Sequence, residues 1–457
     1  MTLYCYVAAV FDSSMTVIDA TTPAAPAYAA RLDGAGAPNY LSQIANLIRD
    51  GIYVYAVSVG NGYLTIINVT NPLIPTLTSA TFISAPANQM QYLFKAGNYC
   101  YCCDRKNLYI VDVSNPAAPI VKSTTANTAL GLTAGAVLGH PYVSGNYCYL
   151  PTLDSGGVVP ADNTLTIINI SNPAAPTVTG SIAGSGVPNF LKGAIFVFIS
   201  GSYAYVGASQ DFSLTIIDIS NPALPTFKGN IAGGGGFSPF LSGNYYLWVE
   251  GSYCYCGTLQ DGFTIIDISN PAAPSFVSNL PFAHGQSPIF KDGNIVYFGS
   301  APSNTLYLID VSNPAIPATV GSIGGAGAPN YLGGPYFCAT KNYPAPPTSP
   351  TITSISPAYG TVDGGTAITI TGTGFVDTPT VTIGGRSCTG ITFVDATSVT
   401  AVTPAGKPGD RDVKITNPDA GYATLTKGFK YLHSKTKCCV ASYVLGKIYP
   451  NGIMRFR

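Results

Sequence analysis

The sequence predicts an all-β protein: a seven-bladed β-propeller closed by its own first and last strands, followed by a C-terminal β-sandwich. Three observations carry this. One phrase recurs seven times, each recurrence sits in a unit of four short apolar stretches, and the first unit lacks a stretch that reappears after the last. Composition agrees, with Gly (50), Pro (36) and Tyr (30) abundant and charged residues only 9% of 457. Gly and Pro punctuate turns and Tyr favours strands. So many aromatics with so little charge argue against disorder.

The recurring phrase is an apolar strand ending in Asp or Asn, then Ser-Asn-Pro-Ala-x-Pro or a near copy. The strands are Met15–Asp19, Leu64–Asn68, Leu108–Asp112, Leu165–Asn169, Leu214–Asp218, Phe263–Asp267 and Leu306–Asp310, spaced 43 to 57 residues apart. Such a period marks propeller blades. Before each lies a second strand, usually written Gly-x-Tyr-x-Tyr, as at Tyr99–Tyr101 and Tyr253–Tyr255. Another apolar strand precedes that one (Tyr246–Val249), and a fourth follows the Pro-rich turn (Thr177–Ile182). In chain order these are strands a, b, c and d, and four strands make one blade. The chain opens at a strand b, Tyr4–Val7. After the seventh unit, Ala328–Leu332 copies Ala37–Leu41 and leads into Tyr336–Thr340. This last stretch is predicted to be the missing strand a of the first blade, which removes two exposed sheet edges.

The run Leu108–Pro116, Leu-Tyr-Ile-Val-Asp-Val-Ser-Asn-Pro, resembles the LVIVD repeat family of β-propellers, and the resemblance extends over residues 1–343. It implies the fold and no single activity.

Residues 344–349 read as a stiff Pro-rich linker. Beyond it, alternating strands are broken by Gly364-Gly365, by Gly372 and Gly374, and by Gly384-Gly385, a β-sandwich pattern. Residues 350–432 resemble an IPT/TIG domain, which implies an immunoglobulin-like fold and a spacer or interaction role. Residues 433–457 form a basic tail with Lys435, Lys437, Lys447, Arg455 and Arg457 and no acid. The tail is expected to be disordered, to add a strand, or to act as an assembly arm on a neighbouring subunit. Cys438 and Cys439 are its candidates for an intermolecular or reactive role.

Chemistry is harder to find. The repeated Asp is replaced by Asn68 and Asn169. Asn cannot serve as a general acid or base but can cap a turn, so capping is the expected role. Cys100, Cys102, Cys148, Cys254 and Cys256 alternate with Ala and Val at matching places in other units and are expected to be small buried hydrophobes. Free thiols of that kind fit synthesis in a reducing compartment. His140, His284 and His433 lack metal-ligand spacing, and Gly233–Gly236 precedes no helix that would make it a phosphate cradle. No cofactor and no metal are expected.

Recognition is therefore assigned to loops. The c–d turns are nearly invariant and the a–b turns are tight, whereas the b–c and d–a loops, which share the other end of the blades, vary. Variable loops on a rigid scaffold are the usual place for binding. Arg105, Lys106, Asp154, Asp162, Asp211, Asp261 and His284 are the candidate contacts.

The expected function is non-enzymatic: a structural or binding protein, in one reading a virion surface component such as a capsid decoration or tail-fibre protein, made in the host cytoplasm. It would join other structural subunits through the IPT/TIG domain and tail, as an oligomer or part of a larger assembly, and contact a cell-surface glycan or protein. The alternative is a secreted or cell-surface adhesin, and a propeller-based lyase or hydrolase is the weaker third. Zero net charge argues against nucleic acid as partner. The first residues show no signal-peptide pattern, and the longest apolar run, Ala194–Ile199, is too short to span a bilayer.

Overall fold

A computed structural model describes residues 2–154, 163–233, 241, 243–258, 261–282, 289–343, 350–375, 379–417 and 422–433. The chain divides into two compact units, Met1–Tyr343 and Pro344–Arg457.

Among the described residues, the first unit holds seven antiparallel sheets in chain order. The second sheet shows the pattern: Ile44–Asp50, Tyr53–Ser58, Tyr63–Asn68 and Thr76–Phe82 as strands a to d. Each strand a packs against those of the sheets before and after it, from Ile44–Asp50 round to Ile289–Asp292 and on to Pro335–Tyr343, which returns to Ile44–Asp50. The sheets therefore form a closed ring with strands a innermost. The closing strand is Pro335–Tyr343, which pairs antiparallel with Thr2–Ala9 along its whole length. The all-β, propeller-like architecture thus agrees with the sequence. The fourth sheet departs from the pattern: Ala136–Leu138 and Tyr142–Ser144 both pair with Tyr147–Asp154, after a short 3-10 turn at Asn127–Leu130.

Burial explains why the middle strands read as continuous apolar runs rather than alternating ones. Strands b and c have sheet neighbours on both sides and packed sheets on both faces, so Val54–Ser58 and Leu64–Ile67 are buried without a break. Cys100, Cys102, Cys103, Cys148, Cys254 and Cys256 occupy such strands as buried free thiols. Burial pushes the Cys148 thiol up to about 12 and Cys102 and Cys103 well above the usual thiol range, so these groups are inert. Cys5 differs, because it is disulfide-bonded. The five cysteines expected to be small buried hydrophobes, Cys100, Cys102, Cys148, Cys254 and Cys256, are free and buried.

The repeated Asp or Asn caps its turn in every sheet. Asp19, Asn68, Asp112, Asn169, Asp218, Asp267 and Asp310 each accept the backbone N–H two residues on, at 2.7–3.0 Å. The Asn of Ser-Asn-Pro does the same from Asn71 to Asn313, at 3.1–3.2 Å. The bond to its own turn, led by the serine hydroxyl and backbone, holds the carboxyls of Asp112, Asp218 and Asp267 below the usual range. Folded values below unfolded ones mean stability that is present above about pH 4 and lost as pH falls through the folded values. Replacing Asp112, Asp218 and Asp267 together by Asn keeps the cap, as Asn68 and Asn169 show. Melting curves across the acid range are expected to show a shallower loss of stability in this triple variant. An acid limb as steep as the parent's would refute the assignment.

The invariant c–d turn also docks on the preceding sheet. Every described c–d pair carries a bulge at the same place in strand d. The residue after the bulge is always small: Ala30, Ser79, Ser123, Gly180, Gly229, Ser278 or Gly321. Ser79 and Ser278 donate their hydroxyls to the carbonyls of Pro116 and Pro314 in the next sheet's turn, at 2.6 and 2.7 Å. At Gly180, Gly229 and Gly321 a Cβ would overlap the carbonyls of Pro222, Pro271 and Pro23. At these five places the turn is a joint between sheets, which gives its repeated sequence a packing reason.

The second unit is two sheets facing one core. Thr351–Ser356, Ala367–Thr373, Ser398–Val402 and Thr389–Asp395 form one; Tyr359–Thr361, Tyr422–Leu432, Gly409–Thr416, Thr380–Ile383 and Arg386–Ser387 form the other. Ile368, Ile370, Val381, Val399, Val413 and Phe429 fill the space between them, as in a β-sandwich.

Candidate binding site

The inner wall of the ring is aromatic. Residues two apart on a strand point to one side, and this places large rings at matching positions on successive strands a, with His140 just before Tyr142–Ser144 in the fourth sheet. Tyr92, His140, Phe196 and Tyr246 make one chain of ring contacts, with centroids 5.7, 4.5 and 5.5 Å apart. Phe94, Tyr142, Phe198, Trp248 and Phe290 make a second, at 4.6, 5.1, 5.6 and 5.0 Å. The second row is half-buried. His140 is buried, and burial draws its pKa down to about 3 despite the bond from Nδ1 to the Pro141 carbonyl. The imidazole is therefore neutral at ordinary pH.

The two ends of this wall differ. At the a–b turn end, Lys95 of the third sheet reaches Asp50 of the second at 2.8 Å, and Lys291 of the seventh reaches Glu250 of the sixth at 2.7 Å. Both lysine side chains are only 6% exposed, so these pairs staple neighbouring sheets. The Lys291 ammonium, with a weaker bond from Trp248 Nε1, holds Glu250 below the usual carboxylate range.

At the other end lies a cavity of about 270 Å³ lined by Val10, Gln43, Ala45, Val59, Gln91, Tyr92 and Tyr246. These residues come from the first, second, third and sixth sheets, so the cavity lies on the ring axis. Among the described residues its lining is made of two amides, two phenol rings and three aliphatic side chains, with no acid or base. Such a surface can hydrogen-bond hydroxyls and pack against C–H faces.

The loops around this end are more ordered than their sequence variety implied. Three d–a loops share one structure: Asn39, Asn189 and Asn330 donate to the carbonyls of Asp33, Ala183 and Gly324 at 2.6–2.7 Å. Buried hydroxyls of strand c hold them from below, Thr16 on the Tyr331 carbonyl, Thr65 on Asn39 and Thr215 on Phe190.

Two b–c carboxylates hold them from the side. Asp12 accepts the N–H groups of Gly327 and Gly333, and Asp211 those of Gly186 and Lys192, at 2.6–3.3 Å. Asp211, a sequence-derived contact candidate, therefore secures a loop. Asp261 is buried, and its N–H donates to Thr258 Oγ1 at 3.0 Å.

Arg105 and Lys106 are exposed on a turn built by Asp104, which sequence reasoning did not single out. That buried carboxylate accepts bonds from the N–H of Lys106 and Asn107, the Ser84 hydroxyl and the Tyr109 hydroxyl, at 2.6–2.7 Å. Burial, with Asp104 adjacent, pushes Tyr109 up to about 12. Asp154 ends its strand b. Asp162, His284 and the tail residues Lys435, Lys437, Cys438, Cys439, Lys447, Arg455 and Arg457 lie outside the described residues.

Gln43, Gln91, Tyr92 and Tyr246 were not singled out from sequence. The usable signal was the recurrence of aromatics two apart in strands a, each pair needing its neighbours to become a wall.

A ring of repeated sheets followed by a β-sandwich domain defines a binding or structural protein. The chain carries six LVIVD repeats and a C-terminal IPT/TIG domain: the LVIVD repeat model matches residues 49–81, 95–126, 142–183, 194–232, 241–280 and 293–324, and the IPT/TIG model residues 350–431. Among solved structures, the periplasmic gluconolactonase of Pseudomonas aeruginosa shares the fold at a TM-score of 0.57 and 12% identity, over 75% of this chain and 100% of its own. A protein from Lactobacillus plantarum matches at 0.59 and 10%, over 75% and 100%. Such identities show the fold alone. Fibrocystin-L of Mus musculus is 44% identical over 69 residues, 15% of this chain; the chain spans only 2% of that protein's length. Among the described residues, no helix is long and apolar enough to cross a membrane.

Proposed function

We propose that the protein is a non-enzymatic recognition protein whose propeller binds a neutral glycan at the axial end bearing the b–c and d–a loops. One observation carries this reading: among the described residues the axial cavity offers two amides and two tyrosines beside three aliphatic side chains, with no acid or base. The opposite end is occupied by turn docking and by the Lys95–Asp50 and Lys291–Glu250 staples. That leaves the cavity end for a ligand, with Arg105 and Lys106 at its periphery.

Of the two settings considered, the disulfide at Cys5 favours a cell-surface or secreted adhesin over a virion component assembled in cytoplasm, because disulfides persist in oxidising compartments. The IPT/TIG domain serves either setting as a spacer or an interaction module.

Trp248, the sole tryptophan, stands on the inner wall two residues from Tyr246 and reports occupancy through its emission. Titration with neutral oligosaccharides is expected to change that emission saturably. Gln43→Ala and Gln91→Ala are each expected to weaken binding about tenfold, the cost of a lost hydrogen bond at a desolvated site. Equal binding by both variants would refute the site, and a Cys5 that alkylates without reductant in protein from its native source would refute the setting.

A further inference from the structure

The second unit carries a cluster of cations that the reading above does not use. A cleft of about 190 Å³ is lined by Arg386, Lys407 and Arg411, with Gly384, Gly406 and Tyr431. Three cations on one small cleft are a concentration of charge in a chain with 21 Lys and Arg among 457 residues. The two guanidinium groups are held in place. Arg386 Nη1 donates to the Ala405 carbonyl at 3.0 Å, and Arg411 donates through Nη1 to the Asp410 carbonyl at 2.7 Å and through Nη2 to the Pro408 carbonyl at 3.0 Å.

Carbonyls orient these groups without cancelling their charge. No carboxylate forms an ion pair with Arg386, Lys407 or Arg411 among the described residues. The nearby Asp412 carboxylate accepts the Lys427 N–H at 2.9 Å, and Asp410 is exposed.

The segment Pro404–Pro408 is pinned from three sides, since the buried Tyr431 hydroxyl also donates to the Pro404 carbonyl at 2.6 Å. Two glycines keep the cleft open. A Cβ at Gly406 would run into the Tyr431 ring, and one at Gly384, whose φ is +57°, would press on the Arg411 side chain.

Two oriented guanidinium forks and an ammonium over an aromatic floor match a compact anion that accepts several hydrogen bonds. We propose that this cleft of the IPT/TIG domain binds a tetrahedral oxyanion, a sulfate or phosphate group. The source is either the free ion or an ester on a larger molecule. The site is independent of the propeller cavity, and its failure would leave the glycan reading standing.

The test is calorimetry on the full chain with three probes: inorganic sulfate, inorganic phosphate and a sulfated disaccharide, each against chloride at matched ionic strength. Saturable binding is expected. Arg386→Gln and Arg411→Gln are each expected to weaken it about tenfold, as loss of a charge-assisted bond does. Lys407→Gln, on an exposed side chain, is expected to weaken it at a melting temperature unchanged from the parent's. Lys430→Gln, a cation on the opposite side of the strand bearing Tyr431, leaves it unchanged. Tighter binding of the disaccharide than of sulfate assigns the ester as source, and the reverse assigns the free ion. Absence of saturable binding by all three probes overturns the proposal, as does unchanged binding by Lys407→Gln together with either arginine variant.

Discussion

A chain ended after Gly334 is expected to lose cooperative unfolding, whereas one ended after Tyr343 keeps it. The difference is the single strand Pro335–Tyr343. That strand pairs with Thr2–Ala9 over its full length and is the innermost strand of the first sheet. It also packs against Ile44–Asp50 and Ile289–Asp292, so it joins the first sheet to both neighbours. Without it, Cys5, Tyr6, Val7 and Ala8, all buried, line an unpaired edge. Folded domains are stable by only about 5–15 kcal/mol, and losing a ladder plus two packed faces exceeds that reserve. The exposed edge also invites association between chains. Circular dichroism melts and size-exclusion chromatography on the two truncations are the measurement. A sharp melt of the shorter chain within a few degrees of the longer one would refute ring closure as the source of stability.

Gly321→Val is expected to be among the most damaging single substitutions, costing about 3 kcal/mol, at the upper end for overpacking a tight contact. Gly321 lies in strand d of the seventh sheet, and its missing side chain makes room for the Pro23 carbonyl in the first sheet's turn. The joint is where the end of the ring meets its beginning, so the turn cannot retreat without opening the closure. A fall in melting temperature of roughly 5 °C follows from such a loss. Gly321→Ser is expected to cost less, because a serine hydroxyl can take the turn carbonyl, as Ser79 and Ser278 do on Pro116 and Pro314. A valine variant as stable as the parent would show that turn docking does not hold the sheets together.

Both expectations concern features only half visible in the sequence. The copy of Ala37–Leu41 at Ala328–Leu332 revealed that the last strand completes the first sheet, because repetition exposes a missing member. The small residue at every bulge was equally repeated, yet its reason lay in a neighbouring sheet's carbonyl. Likewise, Asp211 looked like a free loop carboxylate in sequence, while the backbone N–H groups of Gly186 and Lys192 absorb it. Asp12 does the same across more than three hundred residues, on Gly327 and Gly333. Exposed and committed carboxylates are written with the same letter.

The sequence by itself determined the all-β class, the repeat, the capping role of its Asp and Asn, and the presence of a C-terminal IPT/TIG domain. These are properties of local chemistry and periodicity, which each segment carries alone. Tertiary structure decided the rest. It made the aromatics of separate strands into one wall, put Gln43 and Gln91 beside Tyr246 on the ring axis, and gathered Arg386, Lys407 and Arg411 round one cleft. A binding surface is assembled from residues distant in the chain, and only closure of the ring or pairing of the sandwich sheets brings them within reach of one ligand.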